Sequence, residues 1–226
     1  MLLRRFIVLC MLLGLFLFGW LAWRNVSSRR VDREAPAPVI DKQPAAFARH
    51  DFDPSSPPAG MPPLSPGENA ECDSDFLSNA SVRGVTQQTD ATHATLTVTQ
   101  VKMTLQLKIN IWVPIGANQH LIEHEEGHRQ ISEYYYQTAD KLAERIAAAY
   151  IGRRVEITGT DLSAESSKIL QQMASEITKE YNKELNPDPT QLLYDSITDH
   201  SRNGASAKDA VDHAIKNAPI EAPKVG

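Results

Sequence analysis

The clearest pattern in the chain is a strict alternation of apolar and polar residues from position 103 to position 113. The apolar positions are Met103, Leu105, Leu107, Ile109, Ile111 and Val113, and Thr, Gln, Lys, Asn and Trp stand between them. A period of two residues puts all these apolar side chains on one face of a strand. We therefore predict a half-buried strand that ends at Pro114 and Gly116. A β-rich segment at 81–101, broken by a turn at Thr89-Asp90, precedes it.

The pattern after this strand changes to a helical period. Apolar residues spaced three and four apart predict a helix over 118–150, with Gly152 as its C-terminal stop. Further helices are predicted over 163–184, 190–200 and 205–217. A run of Asn-Pro-Asp-Pro at 186–189 separates the first two of these.

A long apolar run opens the chain. Residues 6–23 are all apolar or glycine and follow Arg4 and Arg5, which is enough length to span a bilayer. Because no small-x-small cleavage signal follows, we predict an uncleaved signal anchor, a transmembrane helix within residues 1–24. Lys and Arg are usually more frequent on the cytoplasmic side of a membrane span, and the arginines that follow this span oppose the orientation that we expect. We nevertheless expect a single-pass inner-membrane protein whose body lies on the periplasmic, extracytoplasmic side.

The next segment is rich in proline. Nine of the 14 prolines lie between Glu34 and Pro66, a composition typical of extended, unfolded linkers. We therefore predict a disordered tether over 25–70, a folded domain over 71–217, and a flexible tail over 218–226.

Charge and cysteine content narrow the possible functions. The formal net charge is −5, and the first 30 residues hold five arginines and no acid, which leaves 18 basic and 28 acidic residues for the rest. Such an acidic body argues against nucleic-acid binding. With Cys10 in the apolar run and Cys72 alone outside it, the soluble part can form neither an internal disulfide nor a four-cysteine zinc site.

A short motif in the first predicted helix has the residue types and spacing of a metal-binding site. His124, Glu125 and His128 spell H-E-x-x-H, and four-residue spacing puts both imidazoles on one helix face, one turn apart. Two such imidazoles can share one Zn²⁺. The carboxylate of Glu125 can then take a proton from a water molecule on the open side of the metal.

A catalytic zinc needs a third protein ligand. His200 is the favoured candidate, because no other histidine lies between the motif and the C-terminal tail. Acidic residues of the following helix stay open as alternatives: Glu165, Glu176 and Glu180. Glu133 lies about 140° round the helix from His128, which makes direct binding of the same ion awkward and leaves a supporting role open. His120 is predicted to be a surface or supporting histidine.

We expect an α+β fold in which a small antiparallel sheet packs against a helical, zincin-like core.

The residues from about 71 to 203 resemble a bacterial family described as predicted secreted zinc-dependent proteases. The resemblance rests on His124-Glu-Glu-Gly-His128 and on Tyr194-Asp-Ser-Ile-Thr-Asp-His200, which follows about 70 residues later. In that family a glycine usually follows the last histidine, whereas Ser201 stands here. The resemblance supports a zinc site but implies no substrate beyond a polypeptide.

We assign roles on this basis. His124, His128 and His200 would bind zinc, and Glu125 would act as the general base. Tyr194 would donate a hydrogen bond to the oxyanion, with a simply packed tyrosine as the alternative. Asp195 either orients a ligand imidazole or caps its helix. The expected protein is a membrane-anchored zinc metallopeptidase acting on extracytoplasmic polypeptides; the alternative is a non-catalytic envelope domain that binds a metal or a partner.

Overall fold

The computed structural model describes residues 36–64 and 67–218. The predicted signal anchor, the first part of the predicted tether and nearly all of the predicted tail lie outside these ranges. None of the helices within them is both long enough and apolar enough to cross a membrane. The membrane anchor and the periplasmic location therefore stay predictions.

One long strand organises a five-stranded mixed sheet. The strands are β1 (Val39–Lys42), β2 (Ala46–Phe52), β3 (Glu71–Gln88), β4 (His93–Pro114) and β5 (Arg154–Thr158). Every other strand pairs with β4. Since β3 pairs along almost the whole of β4, the three short strands β5, β1 and β2 must lie end to end along the opposite edge.

The expected antiparallel sheet is wrong. β3 and β5 are antiparallel to β4, but β1 and β2 are parallel to it, so the fold is a mixed α/β arrangement rather than the expected α+β fold with a zincin-like core. Both parallel strands come from the segment predicted to be a disordered tether, and the folded part begins well before residue 71. The prolines of this segment flank the two strands and leave the strand interiors free to pair.

The predicted alternation in β4 is confirmed. All six apolar positions from Met103 to Val113 are at most 1% exposed. Nearer its start the buried positions are even-numbered, and a register shift opposite Arg83 and Gly84 changes the parity. Such a β-bulge keeps the apolar side chains on one face. Gly84 is required there, since a Cβ would lie 2.7 Å from Leu96 Cδ1 and 2.9 Å from the carbonyl oxygen of Thr97.

The helices of the described chain are α1 (Gln119–Gln137), α2 (Ala139–Ala148), α3 (Leu162–Glu184), α4 (Asp188–Thr198) and α5 (Ala207–Asn217). The single helix expected over 118–150 is thus divided at Thr138. Residues of α1, α2 and α3 form the main core with the apolar face of β3 and β4. A second apolar cluster joins α1, α4 and α5, and this cluster holds the candidate metal residues in place.

Candidate metal centre

The first turns of α1 place the H-E-x-x-H motif. The side chain of Asn118 caps the helix by accepting a hydrogen bond from the backbone N–H of Leu121 at 2.8 Å. One turn later, His124 and Glu125 are each only 2% exposed. The side chain of His128 is 14% exposed and borders a cavity that Glu125 also lines. The helix therefore presents His128 and Glu125 to one cavity, with the more deeply buried His124 one turn before His128 on the same face.

Three donor atoms converge beside the motif. The Nε2 atoms of His124 and His128 are 3.2 Å apart, and Oδ1 of Asp195 lies 3.5 Å from the first and 2.9 Å from the second. Ligands at zinc distances of about 2.0–2.1 Å in a tetrahedron stand about 3.3 Å from one another. Asp195 Oδ1 is also buried without a hydrogen bond of good geometry among the described residues. The three residues therefore fit a zinc ion.

The third donor differs from the expected one. Asp195, on α4, occupies the position predicted for His200. His200 instead groups with Glu68 and Asp195 as a second possible set of donors. Its Nδ1 is 3.9 Å from Asp195 Oδ1 and contacts Glu68 Oε1 closely. The segment that carries the predicted ligand thus does lie beside the two motif histidines, but it approaches them with Asp195 rather than His200, and the assignment of His200 as a ligand of the same ion stays a prediction.

An unusual turn directs His200. Asp199, His200 and Ser201 have φ values of 46°, 52° and 62°, a left-handed conformation that side chains with a Cβ seldom adopt. Each such residue costs of order 1–3 kcal/mol and needs surrounding contacts to hold it. His120 supplies one, because its Nε2 donates to the carbonyl oxygen of Asn203 at 2.7 Å. The supporting role considered for His120 thus has a concrete form.

Gln191 fixes the tautomer of His128. Its Nε2 donates to the His128 carbonyl oxygen and to Ser132 Oγ, both at 3.1 Å, which orients the amide. The opposite amide atom, Oε1, therefore accepts from His128 Nδ1 at 2.6 Å. This bond leaves the lone pair of neutral His128 on Nε2, the atom that faces His124 and Asp195. Sequence reasoning missed Gln191, since a lone glutamine in a helix carries no signal.

The electrostatics of the centre reflect its burial. Burial raises the pKa of Glu125 to about 8, although His128 opposes the shift. Burial alone would lower the pKa of His128, but the charged carboxylate of Asp195, 2.9 Å from Nε2, outweighs this effect and raises that pKa to about 9. Burial likewise disfavours the Asp195 carboxylate, yet its contacts with His124 and His128 hold its pKa below the usual value. A divalent cation would compete with these protons.

Tyr194 does not face the cavity. Its side chain is fully buried, its ring stacks on His124 with centroids 5.0 Å apart, and its hydroxyl donates to the His124 carbonyl oxygen at 3.1 Å. A Cβ on Gly127 would lie 2.1 Å from that hydroxyl, so the motif glycine makes room for the tyrosine. The alternative of a packed tyrosine accounts for Tyr194, and the oxyanion role lacks structural support.

The remaining candidates lie elsewhere. Glu165, Glu176 and Glu180, on α3, belong to none of the donor groups found among the described residues. The half-buried carboxylate of Glu133 binds Arg129 at 2.6 Å, and Glu133 belongs to none of the donor groups found among the described residues. Burial and neighbouring acids strongly raise the pKa of Cys72, which keeps this cavity-lining thiol protonated.

Comparison with known proteins gives no assignment. No family model, curated protein or solved structure matches this chain. The resemblance to predicted zinc-dependent proteases therefore stays a prediction, and the functional argument rests on the geometry of the centre.

Proposed function

We propose that this protein is a zinc-dependent metallopeptidase that hydrolyses peptide bonds in the cavity beside α1. The observation that carries the proposal is the triangle of His124 Nε2, His128 Nε2 and Asp195 Oδ1, with sides of 2.9–3.5 Å. Its donor set of two imidazoles and one carboxylate suits zinc. Zinc would supply a Lewis acid that polarises the scissile carbonyl group and makes a water molecule more acidic.

The protein residues then have distinct tasks. Glu125 accepts a proton from the attacking water and passes it to the leaving amine. The burial of Glu125 favours the protonated form, which suits the second transfer, whereas the first transfer needs the carboxylate, which a cation bound nearby would favour. Gln191 keeps the Nε2 lone pair of His128 directed toward His124 and Asp195, where a metal would bind.

The substitution Glu125→Gln tests the proposal, because it keeps the shape of the side chain but removes the base. We expect zinc content to stay at the wild-type level and cleavage of an unstructured protein substrate to fall about 10²- to 10⁴-fold. Zinc is measured by mass spectrometry and cleavage by release of new amino termini.

Glu126→Gln is the matched control. Glu126 is the next residue of the same helix, but its carboxylate binds Arg129 at 2.6 Å instead of facing the centre. This variant should cleave like the wild type. Cleavage that survives Glu125→Gln would refute the assigned mechanism.

A second function has one specific observation in its favour. Glu68 lies close enough to His124 and Glu125 to add a further protein ligand, and a zinc ion with four protein ligands is typical of structural sites. The alternative is thus a non-catalytic domain that binds metal. Wild-type protein that binds zinc and cleaves none of a broad peptide library would favour it.

A further inference from the structure

We propose that a second divalent cation binds between Glu68, Asp195 and His200, next to the first and bridged to it by the Asp195 carboxylate. The ligand would be a first-row transition metal such as Zn²⁺, since one imidazole and two carboxylates form a mixed nitrogen and oxygen donor set. This position depends on the proposed metallopeptidase centre only through the shared Asp195.

The first argument is the arrangement of the donors. One donor atom each from Glu68, Asp195 and His200 lies within 4.8 Å of the others. Asp195 belongs to both groups of donors, since its Oδ1 lies 2.9–3.5 Å from the Nε2 atoms of the two motif histidines and 3.9 Å from Nδ1 of His200. A carboxylate between two sets of ligands is the usual bridge of paired metal ions, which stand about 3.5–4 Å apart.

The second argument is an unsatisfied buried oxygen. The side chain of Glu68 is only 10% exposed, and its Oε1 contacts His200. Its Oε2 is buried and has no hydrogen-bond partner among the described residues. A buried carboxylate oxygen without a partner is costly. A cation bound between Glu68 and His200 would satisfy this atom, and Asp195 Oδ1 with it.

The third argument is the charge of the cavity. Of the described residues, five carboxylates line it and no Lys or Arg does: Glu68, Glu71, Glu125, Asp188 and Asp195. Arg202 influences Glu68 electrostatically, but its guanidinium binds Asp199 at 2.8 Å. Glu68, Asp188 and Asp195 alone carry three negative charges in this partly buried space, which one divalent ion does not fully compensate and a second would balance.

The fourth argument is the strained turn. Three successive left-handed residues hold the ring of His200 beside Glu68, at a cost that the fold must offset. His200 has no place in the first group of donors, so a second ion gives a reason for this conformation. The strain alone would not identify a ligand; it agrees with the three preceding observations.

The test is metal stoichiometry of the full-length chain, stripped with a chelator, saturated with Zn²⁺, freed of loose metal and measured by mass spectrometry. We expect two zinc ions per wild-type chain. Glu68→Gln and His200→Gln should each bind one. Asp188→Asn is the matched control, because Asp188 lines the same cavity outside the donor groups, and it should bind two.

Substitution with Co²⁺ gives an independent readout. Two Co²⁺ ions sharing a carboxylate couple magnetically, so the wild type should show a weakened electron paramagnetic resonance signal per ion, and Glu68→Gln should restore full intensity. Far-UV circular dichroism checks that each variant is folded. If either Glu68→Gln or His200→Gln fails to fold, the other variant still tests the second position.

The outcomes separate the two proposals. A wild type that saturates at one zinc, or a Glu68→Gln variant that still binds two, overturns the second position. A single zinc that survives Glu68→Gln leaves the proposed metallopeptidase standing, whereas a Glu68→Gln chain without zinc would place Glu68 in the only site and overturn the second position.

Discussion

Gly127 is the residue whose size matters most in the motif. Its missing Cβ leaves space for the ring and hydroxyl of Tyr194, which would otherwise lie 2.1–3.1 Å from the new carbon. We predict that Gly127→Ala destabilises the fold by about 1–3 kcal/mol, because overpacking a buried contact outweighs the gain in helix propensity. Chemical denaturation measures the loss of stability.

The control is Gly204→Ala, since a Cβ at Gly204 meets nothing within 4 Å. This variant should be close to wild type in stability. A Gly127→Ala protein as stable as the wild type would show that Tyr194 can move away at little cost.

Gln191 gives the second prediction at this scale. Replacing Gln191→Ala removes the acceptor that fixes His128, and we expect zinc affinity to fall about 10- to 100-fold. Competition with a chromophoric chelator measures the affinity. Gln191→Glu keeps an acceptor and should bind zinc more tightly than Gln191→Ala. Gln130→Ala, at an exposed position of α1, should leave the affinity unchanged.

Spacing along the chain predicts some site residues and misses others. His124, Glu125 and His128 share one helix, so a helical period alone predicts that they lie close together. The position of His200 away from the motif histidines depends on a turn of three left-handed residues, and the sequence Asp-His-Ser does not predict such a turn. Glu68 approaches only through tertiary folding, from a segment whose composition indicated a linker.

At the scale of elements, β1 and β2 contribute to the stability of the folded domain. Phe52 is 3% exposed, and the carbonyl oxygen of Gln43 accepts a hydrogen bond from Tyr136 Oη at 2.7 Å. We predict that a chain starting at residue 60, which keeps Glu68, loses at least about 3–5 kcal/mol relative to one starting at residue 37, the scale of losing one buried aromatic.

Urea denaturation of the two truncated chains measures this difference. The shorter chain should also aggregate, since removing the strands leaves one edge of β4 unpaired over residues 102–114. Equal stability of the two chains would mean that the predicted tether, as first expected, contributes nothing to the fold.

The elements that could be predicted from the sequence are those whose apolar residues recur at a regular spacing. The buried face of β4 and the helical segments followed from apolar spacing, whereas strand direction did not. Whether a neighbour runs parallel depends on which part of the chain reaches the free edge of β4, and short strands such as VIDK lack any pattern that reveals it.

For the whole molecule, a bound metal would join elements that are distant in sequence. The proposed ligands of the first ion lie on α1 and α4, and the one carboxylate among them, that of Asp195, stands near the acids Glu68 and Glu125, so a cation there would relieve their repulsion. We predict that zinc at about 1,000 times its dissociation constant stabilises the protein by about 4 kcal/mol, or roughly 10 °C in Tm. Differential scanning fluorimetry with zinc and then with chelator measures the shift.

Asp195→Asn provides the comparison for this measurement. The amide is a poorer ligand, so the zinc-dependent rise in Tm should shrink markedly. A rise as large as that of the wild type would mean that Asp195 is not a ligand.

The end-to-end strands on one edge of β4 also have a consequence for the order of folding. Val39 pairs with Lys102, 63 residues later, and β2 pairs with residues 108–114. During synthesis β1 and β2 leave the ribosome first, yet their partner strand does not exist until residue 114 has been made. The β3–β4 hairpin, whose contacts are local, should form first, and the two early strands should dock late because closing so large a loop is slow.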